Sequence, residues 1–188
     1  PLKRVPTGIS GLDKVIEGGL REGTVTIVGG GAGCGKSIFS MQYLIHGIEQ
    51  YGEPGIYISF EQSEEKLVRD FASFGWDIAK LVKEKKLAIF YFTPEQVERF
   101  FDSGGGVIRD IIESMKAKRL VIDSLTAFAL LFPTELDRRR GILRMFEAIQ
   151  SWGVTSLMTS EADADPEKHK SRVIEFQADM VILLYNVR

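Results

Sequence analysis

The sequence predicts an α/β fold of three layers, with helices on both faces of a mostly parallel central sheet. Three observations predict it. Short apolar segments alternate with segments whose apolar residues recur at helical spacing. The strand-like segments are apolar almost throughout, as strands buried on both faces are. Several reactive side chains fall just past the strand ends, where parallel sheets bind ligands. A length of 188 residues, 44% hydrophobic and 27% charged, fits a single domain over residues 1–188.

In chain order, residues 24–28 (TVTIV) are β-branched and short, and glycines follow at once, which marks a buried strand. Ile38, Met41, Ile45 and Ile48 then recur at helical spacing. Residues 55–60 (GIYISF) form a second strand, and Leu67, Phe71 and Phe74 mark a helix stopped by Gly75. Residues 87–92 are a third strand. Val107, Ile108, Ile111, Ile112 and Met115 form a helix stripe. Residues 120–122 are a strand ending on Asp123. Ile142, Leu143, Phe146 and Ile149 line a further helix, and residues 154–158 and 180–185 are the last strands. Periodicity leaves their order in the sheet open.

Bulk properties narrow the class. A net charge of -2 gives no basic footprint for nucleic acid. The single cysteine permits no internal disulfide, which points to an intracellular, cytoplasmic setting. No stretch is apolar enough to span a bilayer, and Pro1-Leu2-Lys3-Arg4 opens no signal peptide, so no membrane partner is expected.

The chemistry begins at residues 29–37, GGGAGCGKS, which contain Gly30-x-x-x-x-Gly35-Lys36-Ser37 between a strand and a helix. That is the setting a P-loop requires. Glycines let the backbone curl until its N–H groups point at phosphates, and the helix N-terminus adds its dipole. Gly31, Ala32, Gly33, Cys34, Gly35, Lys36, Ser37 and Ile38 are therefore expected to hold ATP. Lys36 reaches the terminal phosphates and Ser37 ligates Mg2+. The bland alternative is a glycine-rich turn with a surface lysine. Asp123, ending its strand, is the expected second holder of magnesium, through the ion's water shell; alone, such an Asp is often only a cap. Glu61 follows the strand 55–60 and has two readings. It orients the water that attacks the γ-phosphate, or it belongs to the acidic first turn of a helix.

The run RVPTGISGLDKVIEGGLREGTVTIVGGGAGCGKS resembles the start of RecA-superfamily ATPases, most closely the KaiC-like branch, with RadA-type recombinases as near relatives. YISFEQS, VIDSLT, LMTSE and FQADMVILLY resemble later segments of that branch, so the resemblance covers essentially the whole chain. It implies a three-layer P-loop NTPase with a RecA-like core, ATP hydrolysis with magnesium, and hexameric rings with nucleotide at subunit interfaces. Glu61 matches the family's catalytic glutamate, and Glu161 the position that senses the γ-phosphate. The chain departs from the family at Gln62, where a second glutamate is common. It also stops at Asn186-Val187-Arg188, where relatives continue into a basic segment that reaches a neighbour's nucleotide. A shortened chain or loss of cross-subunit activation is the expectation.

Other features have bland and sharp readings. Cys34 is a small filler, or a reactive thiol that makes nucleotide binding redox-sensitive. Arg138-Arg139-Arg140 is a solvated first helical turn, a subunit contact, or a nucleic-acid contact. Residues 161–177 are expected to be a long loop whose mixed charge is a poor phosphate track. His46 and His169 lack ligand spacing. Gly104-Gly105-Gly106 has no following Lys-Ser and is a flexible start to a helix. The leading expectation is thus a regulatory or signalling ATPase that forms rings of ATP- or ADP-bound subunits and addresses an unidentified protein partner. Its rivals are a RadA-like DNA repair ATPase and an ATP-sensing module without turnover. Self-phosphorylation is not decided by the sequence.

Overall fold

The computed structural model describes residues 3–93, 96, 106–162 and 177–186. A two-stranded antiparallel ribbon, β1 (Arg4–Val5) with β2 (Leu20–Arg21), brackets a short helix α1 (Leu12–Val15). There follow β3 (Val25–Gly30), α2 (Lys36–Tyr51), β4 (Gly55–Ser59), α3 (Glu64–Ala72), α4 (Ile78–Lys83) and β5 (Leu87–Tyr91). The chain continues through α5 (Gly106–Met115), β6 (Arg119–Asp123), α6 (Leu125–Leu130), α7 (Glu135–Trp152), β7 (Thr155–Glu161) and β8 (Met180–Leu184). The strands of the main sheet run in the order β5-β4-β6-β7-β3-β8, and every pairing is parallel. This is the α/β RecA-like architecture expected. No described helix is long and apolar enough to cross a membrane.

The two faces of the sheet carry separate cores, because side chains alternate along each strand. Ile27, Ile58, Leu120 and Ile122 face Ile108 and Ile112 of α5, Phe128 of α6, and Ile142, Phe146 and Ile149 of α7. Val28, Tyr57, Ile89, Val121 and Leu157 face Met41, Leu44 and Ile45 of α2, with Leu67 and Phe71 of α3 and Ile78 of α4. Several expected stripe members instead mark the stripe's edge: Phe74 is 47% exposed, Val107 62% and Leu143 42%. Helix α7 starts at Glu135 behind an N-cap from Thr134. Arg138 therefore closes its first turn, its N–H donating to the Thr134 carbonyl, and Arg139 and Arg140 follow that turn. Gly104, Gly105, His169 and residues 163–176 of the expected long loop lie outside the described residues.

Two local devices hold the frame. In the segment leading to α1, the Asp13 carboxylate accepts from the Thr7 N–H and hydroxyl on Oδ1 (2.8 and 2.7 Å) and from the Gly8 N–H on Oδ2. Gln42 Nε2 of α2 donates to the Gly8 carbonyl at 2.9 Å, which docks that loop on the helix. The residues PTGISGLD thus have a local physical reason. Beside this segment, Arg119 opens β6 fully buried, with its Nε 2.7 Å from Glu53. Its Nη1 donates to the carbonyls of Pro6 (2.8 Å) and Tyr43 (2.9 Å). A glycine in mid-helix is unfavourable. Gly47 is required in α2 because a Cβ there would lie 2.2 Å from Arg119 Nε.

Candidate functional site

The candidate site forms at the carboxyl ends of β3, β4, β6 and β7. Residues 31–35 turn tightly into α2, with Gly33 and Gly35 at φ of +72° and +91°, where other residues are strained. Helices α3, α4, α6 and α7 are each capped by a side chain, from Ser63, Asp77, Ser124 and Thr134. Helix α2 has Gly35 as its N-cap, no side-chain cap bond and no acidic residue in its first turn. Its first N–H groups keep their donor capacity for an anion. Lys36 Nζ donates to the carbonyls of Gly30 (2.9 Å) and Gly31 (2.8 Å), so the cation lies over the loop. Cys34 packs against Gly30, where a Cβ would come within 2.4 Å of Sγ, and this close fit favours the small-filler reading of the cysteine.

Asp123 ends β6 in partial contact with solvent. Both its oxygens are held: Thr159 Oγ1 of β7 donates to Oδ1 at 2.6 Å, and the Tyr57 hydroxyl of β4 donates to Oδ2. Burial pushes the Tyr57 phenol well above its usual pKa, and the negative charge of Asp123 pushes it further, so the hydroxyl remains a donor. The Asp123–Ser124 peptide is cis. Ser124 both caps α6 at Ala127 N and donates to Glu61 Oε1 at 2.9 Å.

Glu61 is placed by a turn in which Ser59 Oγ accepts from the N–H groups of Glu61 and Gln62. It lies outside α3, whose acidic first turn consists of Glu64 and Glu65. The structure therefore separates Glu61 from the helix-turn role considered for it. Glu161 ends β7, exposed and in register with Gly30 of the loop strand. Its N–H donates to Thr126 Oγ1 at 2.9 Å, and the Thr126 and Ser160 hydroxyls are 3.4 Å apart. Ile38, in the first turn of α2, is 36% exposed rather than core.

The fold brings the loop, Asp123, Glu61 and Glu161 to one end of the sheet. Sequence reasoning missed Tyr57, Ser124, Thr126 and Thr159, which hold these groups. A polar hydroxyl within an apolar strand was the available signal for Tyr57, whereas Thr159 lies among the polar residues of β7 and carried none. The donor set suits a hard divalent ion: one carboxylate and one hydroxyl, with phosphate and water completing the shell. Among the described residues no three His, Cys, Asp or Glu side chains converge as a metal cage. A carboxylate and a hydroxyl, as Asp123 and Ser37 supply, fit magnesium held jointly with a nucleotide.

The family model described as "ATPase: KaiC" matches residues 5–188. The circadian clock oscillator protein KaiC of Prochlorococcus marinus subsp. pastoris is 42% identical over 193 residues, covering 99% of this chain and 38% of that protein. The protein of the same name from Synechococcus elongatus is 34% identical, covering 99% of this chain and 37% of that protein. The chain thus spans less than two fifths of the length of these relatives. The crystal structure of a KaiC-like protein from the hyperthermophilic archaeon Pyrococcus horikoshii superposes with a TM-score of 0.85 at 40% identity, covering 97% of this chain and 81% of that one.

Proposed function

The chain belongs to the KaiC family of ATPases, and on that footing we propose that it binds ATP with magnesium and hydrolyses it. The observation that carries the reading is the placement of Glu61: Ser124 Oγ fixes its carboxylate 2.9 Å away, one residue beyond Asp123. A base so held accepts a hydrogen bond from a water and aims its lone pair at the γ-phosphorus. The N–H groups of Gly31, Ala32, Gly33, Cys34, Gly35, Lys36, Ser37 and Ile38 cradle the phosphates, and the Lys36 ammonium answers the charge that builds on the leaving side. Ser37 and Asp123 hold magnesium, which when bound neutralises phosphate charge and fixes the terminal phosphates relative to the loop. Glu161, level with Gly30 across the β3–β7 pair, is the residue to register the γ-phosphate.

Assembly into a hexameric ring with nucleotide between subunits, a cytoplasmic setting and a regulatory output through a protein partner complete the proposal. Family membership supports the ring, and the acidic balance of the chain, a net charge of -2, weighs against a nucleic-acid substrate.

Lys36→Ala tests the binding half. Losing a charged donor to phosphate is expected to weaken ATP binding roughly 10- to 100-fold, read by titration with a fluorescent ATP analogue, at an unchanged melting temperature. A variant that binds as tightly as the parent would place the nucleotide elsewhere.

A further inference from the structure

Tyr57 is a phenol in the middle of a buried parallel sheet, fully shielded from solvent. Its ring is edge-on to Phe71 of α3, with centroids 6.3 Å apart, which accounts for the ring. The hydroxyl needs a separate reason, because phenylalanine fills the same space without a polar atom to desolvate. It donates to Asp123 Oδ2, while Thr159 occupies Oδ1 from the opposite neighbouring strand. β6 lies between β4 and β7 in the sheet, so the two donors grip the carboxylate from both sides. The Tyr57 hydroxyl thus holds one oxygen of Asp123, a residue read as a magnesium holder, while Ser37, the other, lies in the first turn of the loop helix.

We infer that Tyr57 is a positioning residue for the metal: its hydroxyl sets the orientation of the Asp123 carboxylate, and so sets the affinity for magnesium alongside nucleotide. The inference rests on the reading of Ser37 and Asp123 as the magnesium holders. Partners that orient a metal-holding carboxylate typically contribute 10- to 100-fold to metal affinity. With Tyr57→Phe the carboxylate keeps Thr159 but is free to turn about that single bond.

The test is equilibrium binding, without turnover. ATP binding to the full chain is followed by calorimetry in EDTA and across a magnesium titration, for the parent and Tyr57→Phe. The phenylalanine ring preserves the packing on Phe71, so the variant folds, as its melting temperature will record. The expected result is about a tenfold rise in the magnesium concentration that half-saturates the tightening of ATP binding, with unchanged ATP affinity in EDTA. Superimposable magnesium titrations would overturn the role of Tyr57 alone. An equal loss of affinity in EDTA would also overturn it, by showing that the hydroxyl merely supports the loop. If magnesium does not tighten ATP binding to the parent, the reading of Ser37 and Asp123 falls, and the inference with it.

Discussion

Replacing Glu61 by Gln is expected to cut phosphate release by roughly 10²- to 10⁴-fold while leaving ATP affinity unchanged. The amide oxygen can still accept from Ser124, whose hydroxyl lies 2.9 Å from Oε1 in the parent. Ser59 still shapes the turn through the backbone of residues 61 and 62. Position is thus conserved, and only the negative charge and basicity are lost. Single-turnover phosphate release beside equilibrium ATP binding separates the two. Near-parental turnover would mean that another group orients the water, and Glu161 would be the next residue to replace.

Arg119→Ala is expected to destabilise the fold by about 3–5 kcal/mol, the usual cost of breaking a buried ion pair from one side. Glu53 is 25% exposed and can recover water, so its loss is the smaller part. The larger part is the Pro6 and Tyr43 carbonyls, which lose their donor in the interior. The packing vacated beneath Gly47 and beside the Tyr43 ring, whose centroid lies 4.7 Å from the guanidinium carbon, adds to it. Arg119→Lys is expected to recover only part of the stability, because one ammonium cannot reproduce a planar fork directed at three acceptors. Urea unfolding measures both. A change below about 1 kcal/mol for the alanine variant, the range of an ordinary substitution, would show that the cluster is not integral to the fold.

What could be read from the sequence follows how local each signal is. The loop at residues 30–37 is contiguous, and its strand-before, helix-after setting is visible in apolar patterning, so both its place and its residues were legible. Asp123 and Glu61 were legible as strand-end acids, but their relation was not. Ser124, which connects them, looks like any helix cap until the sheet order places β4 beside β6. Tyr57 and Thr159 were hidden for the same reason: they meet Asp123 only across strand pairs, and periodicity does not order strands. Arg119 sits in Lys116-Ala117-Lys118-Arg119, which looks like a solvated run before a strand. Only the glycine in mid-helix at position 47 hinted that something large was buried against α2. The short helices α4 and α6, of six residues each, are too brief for a 3.6-residue period to show. The PTGISGLD run was legible as a resemblance, and the three donors on Asp13 supply its cause.

The measurement that bears most directly on the proposed function is phosphate release from ATP by the purified chain, with and without magnesium, across a protein dilution series. The expected result is release that requires magnesium and rises per subunit with protein concentration, as a site completed by a ring neighbour requires. ATP binding with no phosphate released at any concentration would contradict it, and would make the chain a nucleotide sensor rather than a hydrolase.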